Sequence, residues 1–433
     1  MRIAVLTIGS RGDIQPFLAL AQALRRAGHS VFLGAPPNFS SLAAEHGVEF
    51  QAMGPDSRSL MQESETKKIV QSGSILSAFR GAPLARLRER QARISRDALR
   101  ISQGVDALVY KSGLAAGSTV AEALRIPAVS VALQPMAPSS AFPPPLMGST
   151  FDGGAWVNRA LGEAMALAIW SIGREGVQAL RRELGLAPLP YLGVRPADEP
   201  TTLHAYSPSV APKPDDWPAQ FHVTGFLFLD AAPAWTPPAS LSRFLEAGPP
   251  PLCIGFGSMT NADPRRLLTL LLGGLRQAGQ RAVLLGGWGD LGQGVELPDS
   301  VYALDQAPHD WLFPRAAGVV HHGGAGTTGA VLRAGVPSLV IPYNFDQPFW
   351  GKRVSELGVA PAPLRLRDLT AARLAGAFDR LAHDAEMRTR AAELGRRVRA
   401  EDGLKEAVDR IHGVIGGAAR GPARAGQQRV VMT

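Results

Sequence analysis

Residues 318–350, GVVHHGGAGTTGAVLRAGVPSLVIPYNFDQPFW, decide the fold. An apolar run, Ala317–Val320, ends in His321 and His322. Gly323, Gly324 and Gly326 follow, with Thr327 and Thr328. Val331, Leu332 and Val336 then recur at helical spacing, and Ser338–Ile341 forms a second apolar run. The pattern predicts strand, Gly-rich turn, helix and strand. A turn of this kind aims unpaired backbone N–H groups and the positive end of a helix dipole at whatever lies above the sheet. A phosphate is the ligand that suits it best.

Gly324-Ala325-Gly326-Thr327-Thr328-Gly329 also reads G-x-G-x-x-G, and Asp346 stands 20 residues past Gly326. That is the spacing of a dinucleotide-binding fingerprint, so the segment alone also admits a dehydrogenase. Glycines serving only a tight strand-to-helix turn are the plainer alternative.

At 433 residues the chain is too long for one ordinary domain. Apolar residues are 45% and charged residues 19%, a globular composition able to bury a large core. The net charge is +8, carried mainly by arginine. Its densest stretch, Arg80–Arg100, reads as a solvated helix face, with contact to an anionic membrane as the less favoured alternative. No basic patch interleaved with aromatics appears, so nucleic-acid binding is not expected. The one cysteine, Cys253, lies in an apolar run and implies no disulfide framework. The apolar run Ile3–Ile8 is too short for a signal-peptide core, and Ala160–Ile172 contains Glu163 and does not suit a bilayer span. The expectation is a soluble cytoplasmic protein.

Arg2–Ile8 predicts a buried parallel strand, and the helix after Pro16 puts Phe17, Leu18, Leu20, Ala21 and Leu24 on one face. Strands at Val31–Ala35, Ala107–Lys111 and Ala128–Leu133 alternate with helices. A second series runs through Leu252–Phe256, Ala282–Leu285, Val301–Ala303, Ala317–Val320 and Ser338–Ile341. The expected fold class is α/β, two Rossmann-like domains facing across a cleft. The first domain covers 1–206, a Pro-rich linker 207–240 and the second domain 241–400. A C-terminal helix follows at 401–415 and a disordered Gly/Ala/Arg/Gln-rich tail at 416–433.

Two Gly-rich turns close strands of the second half: Gly255-Phe256-Gly257-Ser258 and His322–Thr328. In a parallel sheet both open at the carboxyl edge, and together they suit a diphosphate. Gly286-Gly287-Trp288-Gly289 offers an indole for stacking on a base, with an ordinary half-buried aromatic as the alternative. Adjacent His321 and His322 point opposite ways along an extended segment, and no Cys or third spaced histidine accompanies them, so zinc is not expected. In the first half, Asp13 follows Gly9-Ser10-Arg11-Gly12. It suits either a general base facing the cleft or a helix cap.

With these residues assembled, the chain resembles the sterol 3-β-glucosyltransferases and the bacterial glycopeptide glycosyltransferases of the GT-B type. The resemblance spans about residues 1–415. Its motifs are LTIGSRGDIQPFLAL, AEALRIP, YSPSV, DDWP, VTGFLFLD, IGFGSM, PHDWLFP, HHGGAGTTGAVLRAGVPS, DQPFWGKRV and EDGLKEAV. It implies a second domain holding a nucleoside-diphosphate sugar as co-substrate, a first domain holding the acceptor, and neither metal nor cofactor. It further implies that Ser258, His322, Gly324, Gly326 and Thr327 hold phosphates, that Ala307 meets the nucleobase through its backbone, and that Asp346 and Gln347 bind sugar hydroxyls. Asp13 matches the general base of the bacterial relatives. Plant relatives use a histidine after the first strand and a tryptophan where Gln306 stands here, so base stacking is left to Trp288. Residues 55–100 and 134–170, where acceptors bind, depart from the pattern.

The reading is an inverting glycosyltransferase that moves a sugar, of the UDP-glucose type, to a hydroxyl of a lipophilic acceptor. Sterols, other lipid alcohols and natural products all fit, and peripheral contact with a membrane stays open. An NAD-dependent oxidoreductase, a sugar-nucleotide epimerase and a non-catalytic glycosyltransferase partner are the rivals.

Overall fold

The computed structural model describes residues 1–62, 82–148, 151–230, 235–257, 259, 263–287 and 295–419. Ile3, Ala4, Val5 and Leu6 are all fully buried, so β1 (Arg2–Leu6) shows no alternation because both of its faces are covered. β2 (Ser30–Ala35), β3 (Glu49–Ala52), β4 (Ala107–Lys111), β5 (Ala128–Ala132), β6 (Thr202–His204) and β7 (Phe221–Val223) join it. The order in space is β3-β2-β1-β4-β5-β6-β7, with parallel pairing throughout.

The second sheet comprises β8 (Leu252–Gly255), β9 (Ala282–Leu285), β10 (Val301–Leu304), β11 (Gly318–His321) and β12 (Ser338–Val340). Its order is β10-β9-β8-β11-β12, again parallel. Cys253 on β8 is a core residue, 1% exposed. Each sheet reverses direction once, between β1 and β4 and between β8 and β11. Ligands of doubly wound sheets settle at the carboxyl ends of the strands beside such a reversal.

The expected linker at 207–240 is corrected. Phe221–Val223 is the seventh strand of the first sheet, and Tyr206, Val210 and Trp217 are core residues. The prolines there bound an edge strand, where a missing N–H costs nothing. Tyr206, Trp217 and Phe226 share one buried cluster with Trp350, Val354 and Val398 of the second half. The C-terminal helix Gly403–Ala419 returns to the first half and buries Ala407, Val408, Ile411 and Ile415 against Ile3, Val5 and Phe17. Residues 420–433 of the expected tail lie outside the described residues.

Candidate active site

At the first reversal, the chain leaves β1 and enters the helix Arg11–Arg26 with Ser10 as N-cap. Asp13 takes the third helical position, and its Oδ2 accepts from Ser10 N at 2.8 Å and Ser10 Oγ at 3.3 Å. Capping therefore uses one carboxylate oxygen. The other, Oδ1, accepts from Lys111 Nζ at 2.6 Å. Lys111 ends β4 and also donates to the Ile8 carbonyl at 3.1 Å. The reversal makes β1 and β4 neighbours, which brings these residues together across 98 positions. Sequence reasoning missed Lys111. The available signal was a lysine closing an apolar strand at the carboxyl edge.

At the second reversal, β8 and β11 lie side by side, with Gly255 opposite His321. Gly257 turns at φ +59°, and a Cβ on it would stand 3.3 Å from His322 Cε1. A Cβ on Gly324 would stand 2.5 Å from His322 Nε2. The imidazole thus fits between the two Gly-rich turns only because both lack side chains. His321 is fully buried and its Nδ1 accepts from Gly323 N at 3.1 Å, so the two histidines divide as a packed ring and a ring at the turn. Burial pulls His322 down to about 4 and His321 to about 3, so both are neutral near pH 7. Gly324 caps the helix Ala325–Ala334, whose first turn holds Gly326 and Thr327. Ser258 and Trp288 lie outside the described residues.

Loops leave the carboxyl ends of the second sheet in a row: Ala307 after β10, Gly287 after β9, Gly257 after β8, His322 after β11 and Asp346 after β12. Four strand spacings of ~4.8 Å make that row about 19 Å long. At its end, Phe345 holds φ +54°, an uncommon conformation for a bulky residue. Gln347, 3% exposed, fixes this bend: its Oε1 accepts from Tyr343 N at 2.7 Å and Asn344 N at 3.2 Å. Its oxygen is thereby spent on the loop, and its Nε2 donates to Met259 Sδ at 3.4 Å. Asp346 Oδ2 accepts from Trp350 Nε1 at 2.8 Å, and Trp350 is fully buried. Burial pushes the Asp346 carboxyl up to about 6, opposed by that hydrogen bond, while Asp13 and Lys111 act on it with opposite signs.

The two halves meet over this ground. A Cβ on Gly326 would be 3.8 Å from the Gly12 carbonyl, so the first turns of the two helices face each other. Arg11 Nη1 donates to Gln306 Oε1, beside Ala307. Asp13, Lys111, Gly326 and Asp346 therefore share one cleft. The G-x-G-x-x-G segment follows β11, not the first strand of its half, which is the wrong place for a dinucleotide fingerprint.

Residues 3–143 match the glycosyltransferase family 28 N-terminal domain, and residues 289–413 match the erythromycin biosynthesis protein CIII-like C-terminal domain. Two sterol 3-beta-glucosyltransferases of Arabidopsis thaliana, UGT80A2 and UGT80B1, are 36% and 35% identical to the chain over 419 residues. These alignments cover 94% and 95% of the chain, and 64% and 68% of the relatives. A Neosartorya fischeri sterol 3-beta-glucosyltransferase is 34% identical over 95% of the chain, which spans 29% of that protein. Among solved structures, the glycotransferase of kitacinnamycin superposes with a TM-score of 0.68 at 19% identity, covering 95% of this chain and 98% of its own. Glycosyltransferase VinC, solved with DTDP, gives 0.66 at 21% identity, covering 96% and 100%. The fold is GT-B, and the chain belongs to the sterol 3-beta-glucosyltransferase family of glycosyltransferases.

Proposed function

We propose that the chain is an inverting glycosyltransferase that moves glucose or a similar sugar from a nucleoside-diphosphate donor to a hydroxyl of a lipophilic alcohol. Asp13 takes the proton of the acceptor hydroxyl, the freed oxygen attacks the anomeric carbon, and the bond from that carbon to the diphosphate breaks. Negative charge then builds on the leaving diphosphate. N–H groups at Gly324, Gly326 and Thr327, with Ser258 and the His322 imidazole, meet it more strongly than they meet the bound donor. A neutral His322 offers an N–H; an anion beside it favours its protonated form.

The row of five loops carries this reading. The row supports assigning the base to the end at Ala307, the diphosphate to Gly257 and His322 in the middle, and the sugar to Asp346 with Gln347 at the other end. Asp13 then stands across the cleft from the anomeric carbon. The sterol acceptors named for the relatives make a sterol or another lipid alcohol the leading acceptor class. The workplace is the cytoplasmic side of the cell, in peripheral contact with membrane. Among the described residues no group of three or more His, Cys, Asp or Glu is placed to hold a metal, and turnover is expected to persist in excess EDTA.

The test is incubation with nucleoside-diphosphate glucoses and a panel of sterols and other lipid alcohols, reading glycoside mass and thermal shift. Donor binding raises the melting temperature by mass action. A shift with NAD(H) but with no nucleoside diphosphate would overturn the reading.

A further inference from the structure

Eight large hydrophobic side chains stand exposed among the described residues, and six of them fall within 151–194. Trp156 is 81% exposed, Tyr191 and Leu192 71% each, and Phe151 65%, with Leu167 and Val194 less so. Burial elsewhere is thorough, so this concentration marks an interaction surface and not a scatter of single residues.

The helix Ala155–Glu183 organises it. Trp156, Ala160, Glu163, Leu167, Trp170 and Arg174 recur at alternating steps of four and three, which puts them along one face. Trp170 Nε1 donates to the Tyr191 carbonyl at 3.1 Å, and the Arg174 guanidinium lies 4.1 Å from the Tyr191 ring centre. These contacts clamp the Tyr191–Leu192 turn onto the same face and extend the stripe. Glu163 is neutralised by Arg159 at 2.8 Å.

The opposite face is packed. Gly162 lies against Pro138, where a Cβ would come within 2.9 Å of Cα, and Asn158 donates to the Ser140 carbonyl at 3.4 Å. Gly173 meets Ala115 and Gly176 meets Ala92. The helix therefore roofs the loop after β5, at the carboxyl edge of the acceptor-side sheet. The arginine-rich helix Ala82–Ile101 lies alongside, tied by Arg88–Glu175 at 2.8 Å and Arg96–Glu183 at 3.1 Å. Residues 82–101 and 151–195 together hold eleven arginines against six carboxylates; of these arginines, Arg181 is buried on Glu122 and Arg195 pairs with Asp198, so neither adds to the surplus.

We propose that this face docks the protein on an anionic membrane surface, with Trp156, Tyr191 and Leu192 entering the headgroup region and the arginines facing lipid phosphates. Tryptophan and tyrosine are the side chains that favour that boundary, and surplus arginine complements its charge. A lipid alcohol leaving the bilayer would then meet the acceptor side of the cleft one helix away. That purpose rests on the proposed lipophilic acceptor; the docking itself does not.

The test is co-sedimentation of the full chain with phosphatidylcholine vesicles, with and without phosphatidylglycerol. Binding is expected with the anionic vesicles and is expected to weaken with salt. The triple change Trp156→Ser, Tyr191→Ser and Leu192→Ser should lower partitioning at least about tenfold. Its melting temperature should stay unchanged. Three results would overturn the proposal: no binding to either vesicle, binding indifferent to the triple change, or a dimer in solution that the triple change converts to monomer. Loss of turnover on a water-soluble acceptor with vesicle binding intact would assign these residues to the acceptor site instead. Vesicle binding without sugar transfer would leave the docking surface standing and remove the proposed reaction.

Discussion

The two strand-order reversals of this molecule share a topology and differ in chemistry. Between β1 and β4 the carboxyl edge holds a charged pair, Asp13 and Lys111, with side-chain exposures of 27% and 16%. Between β8 and β11 it holds glycines, backbone N–H groups and a histidine that burial keeps neutral. One edge is suited to moving a proton and the other to receiving charge on an anion. The difference teaches that the doubly wound sheet supplies only the position. Side chains on the turns decide whether that position becomes a base or an anion cradle.

The comparison breaks most sharply at Asp13. Asp13→Asn keeps a side-chain oxygen that can accept from Ser10 N in the capping box but removes the proton acceptor. Turnover should fall by roughly 10²–10⁴-fold, while donor affinity measured by calorimetry stays near wild type. Wild-type activity would reduce Asp13 to a cap. The mirror experiment is His322→Ala, expected to cost on the order of 10²-fold in turnover and to weaken nucleoside-diphosphate binding as well. Equal donor affinity in this variant would show that the ring only packs between glycines.

A third, smaller effect belongs to Lys111, which holds Asp13 Oδ1. Lys111→Met should lower kcat by about tenfold, the scale of one charge-assisted hydrogen bond, with the donor KM unchanged and partial recovery in Lys111→Arg. A change confined to the donor KM would place Lys111 on the donor side. Proton linkage sharpens the contrast further. Because His322 is neutral near pH 7 and a bound anion favours its charged form, donor binding should take up a fraction of a proton. Calorimetry in buffers of different ionisation heat reads this uptake, and it should vanish in His322→Ala.

The smallest effect concerns Asp346, whose carboxyl is pushed up to about 6. A raised folded-state value means that its contribution to stability is present below its unfolded value and lost as pH rises through about 6. Asp346→Asn should therefore gain melting temperature relative to wild type at pH 8 and lose that advantage by pH 4. A gain on the order of 1 kcal/mol is expected, since the carboxyl is not sealed from solvent. An equal difference at both pH values would exclude the linkage.

Much of this was legible in the sequence, for identifiable reasons. Fully buried strands print as continuous apolar runs, and so β1, β8, β9 and β11 were readable from Ile3–Leu6, Leu252–Ile254, Ala282–Leu285 and Gly318–Val320. Gly-rich turns announce themselves through residue type alone. Pairings across the chain do not. Nothing local to Lys111 tells that its ammonium meets a carboxylate 98 residues earlier; strand order decides it. The Pro-rich stretch misled because prolines next to an edge strand look the same as prolines in a linker. Gln347 was expected at sugar hydroxyls, yet its oxygen holds the Phe345 bend, a task visible only from the left-handed φ.

The return of the final helix to the first half has a mechanical consequence. The backbone passes between the halves twice, once after β7 and once before Gly403, and the two passages touch: a Cβ on Gly225 would be 3.0 Å from Gly403 Cα, and one on Gly403 would be 2.5 Å from the Phe226 carbonyl. Glu401 Oε1 accepts from Ser207 Oγ at 2.8 Å beside this crossing. Two passages of chain fastened at a common point, beside the buried cluster that Tyr206 and Phe226 share with Trp350 and Val398, tether the halves along one seam, so separating them there would expose that cluster to water.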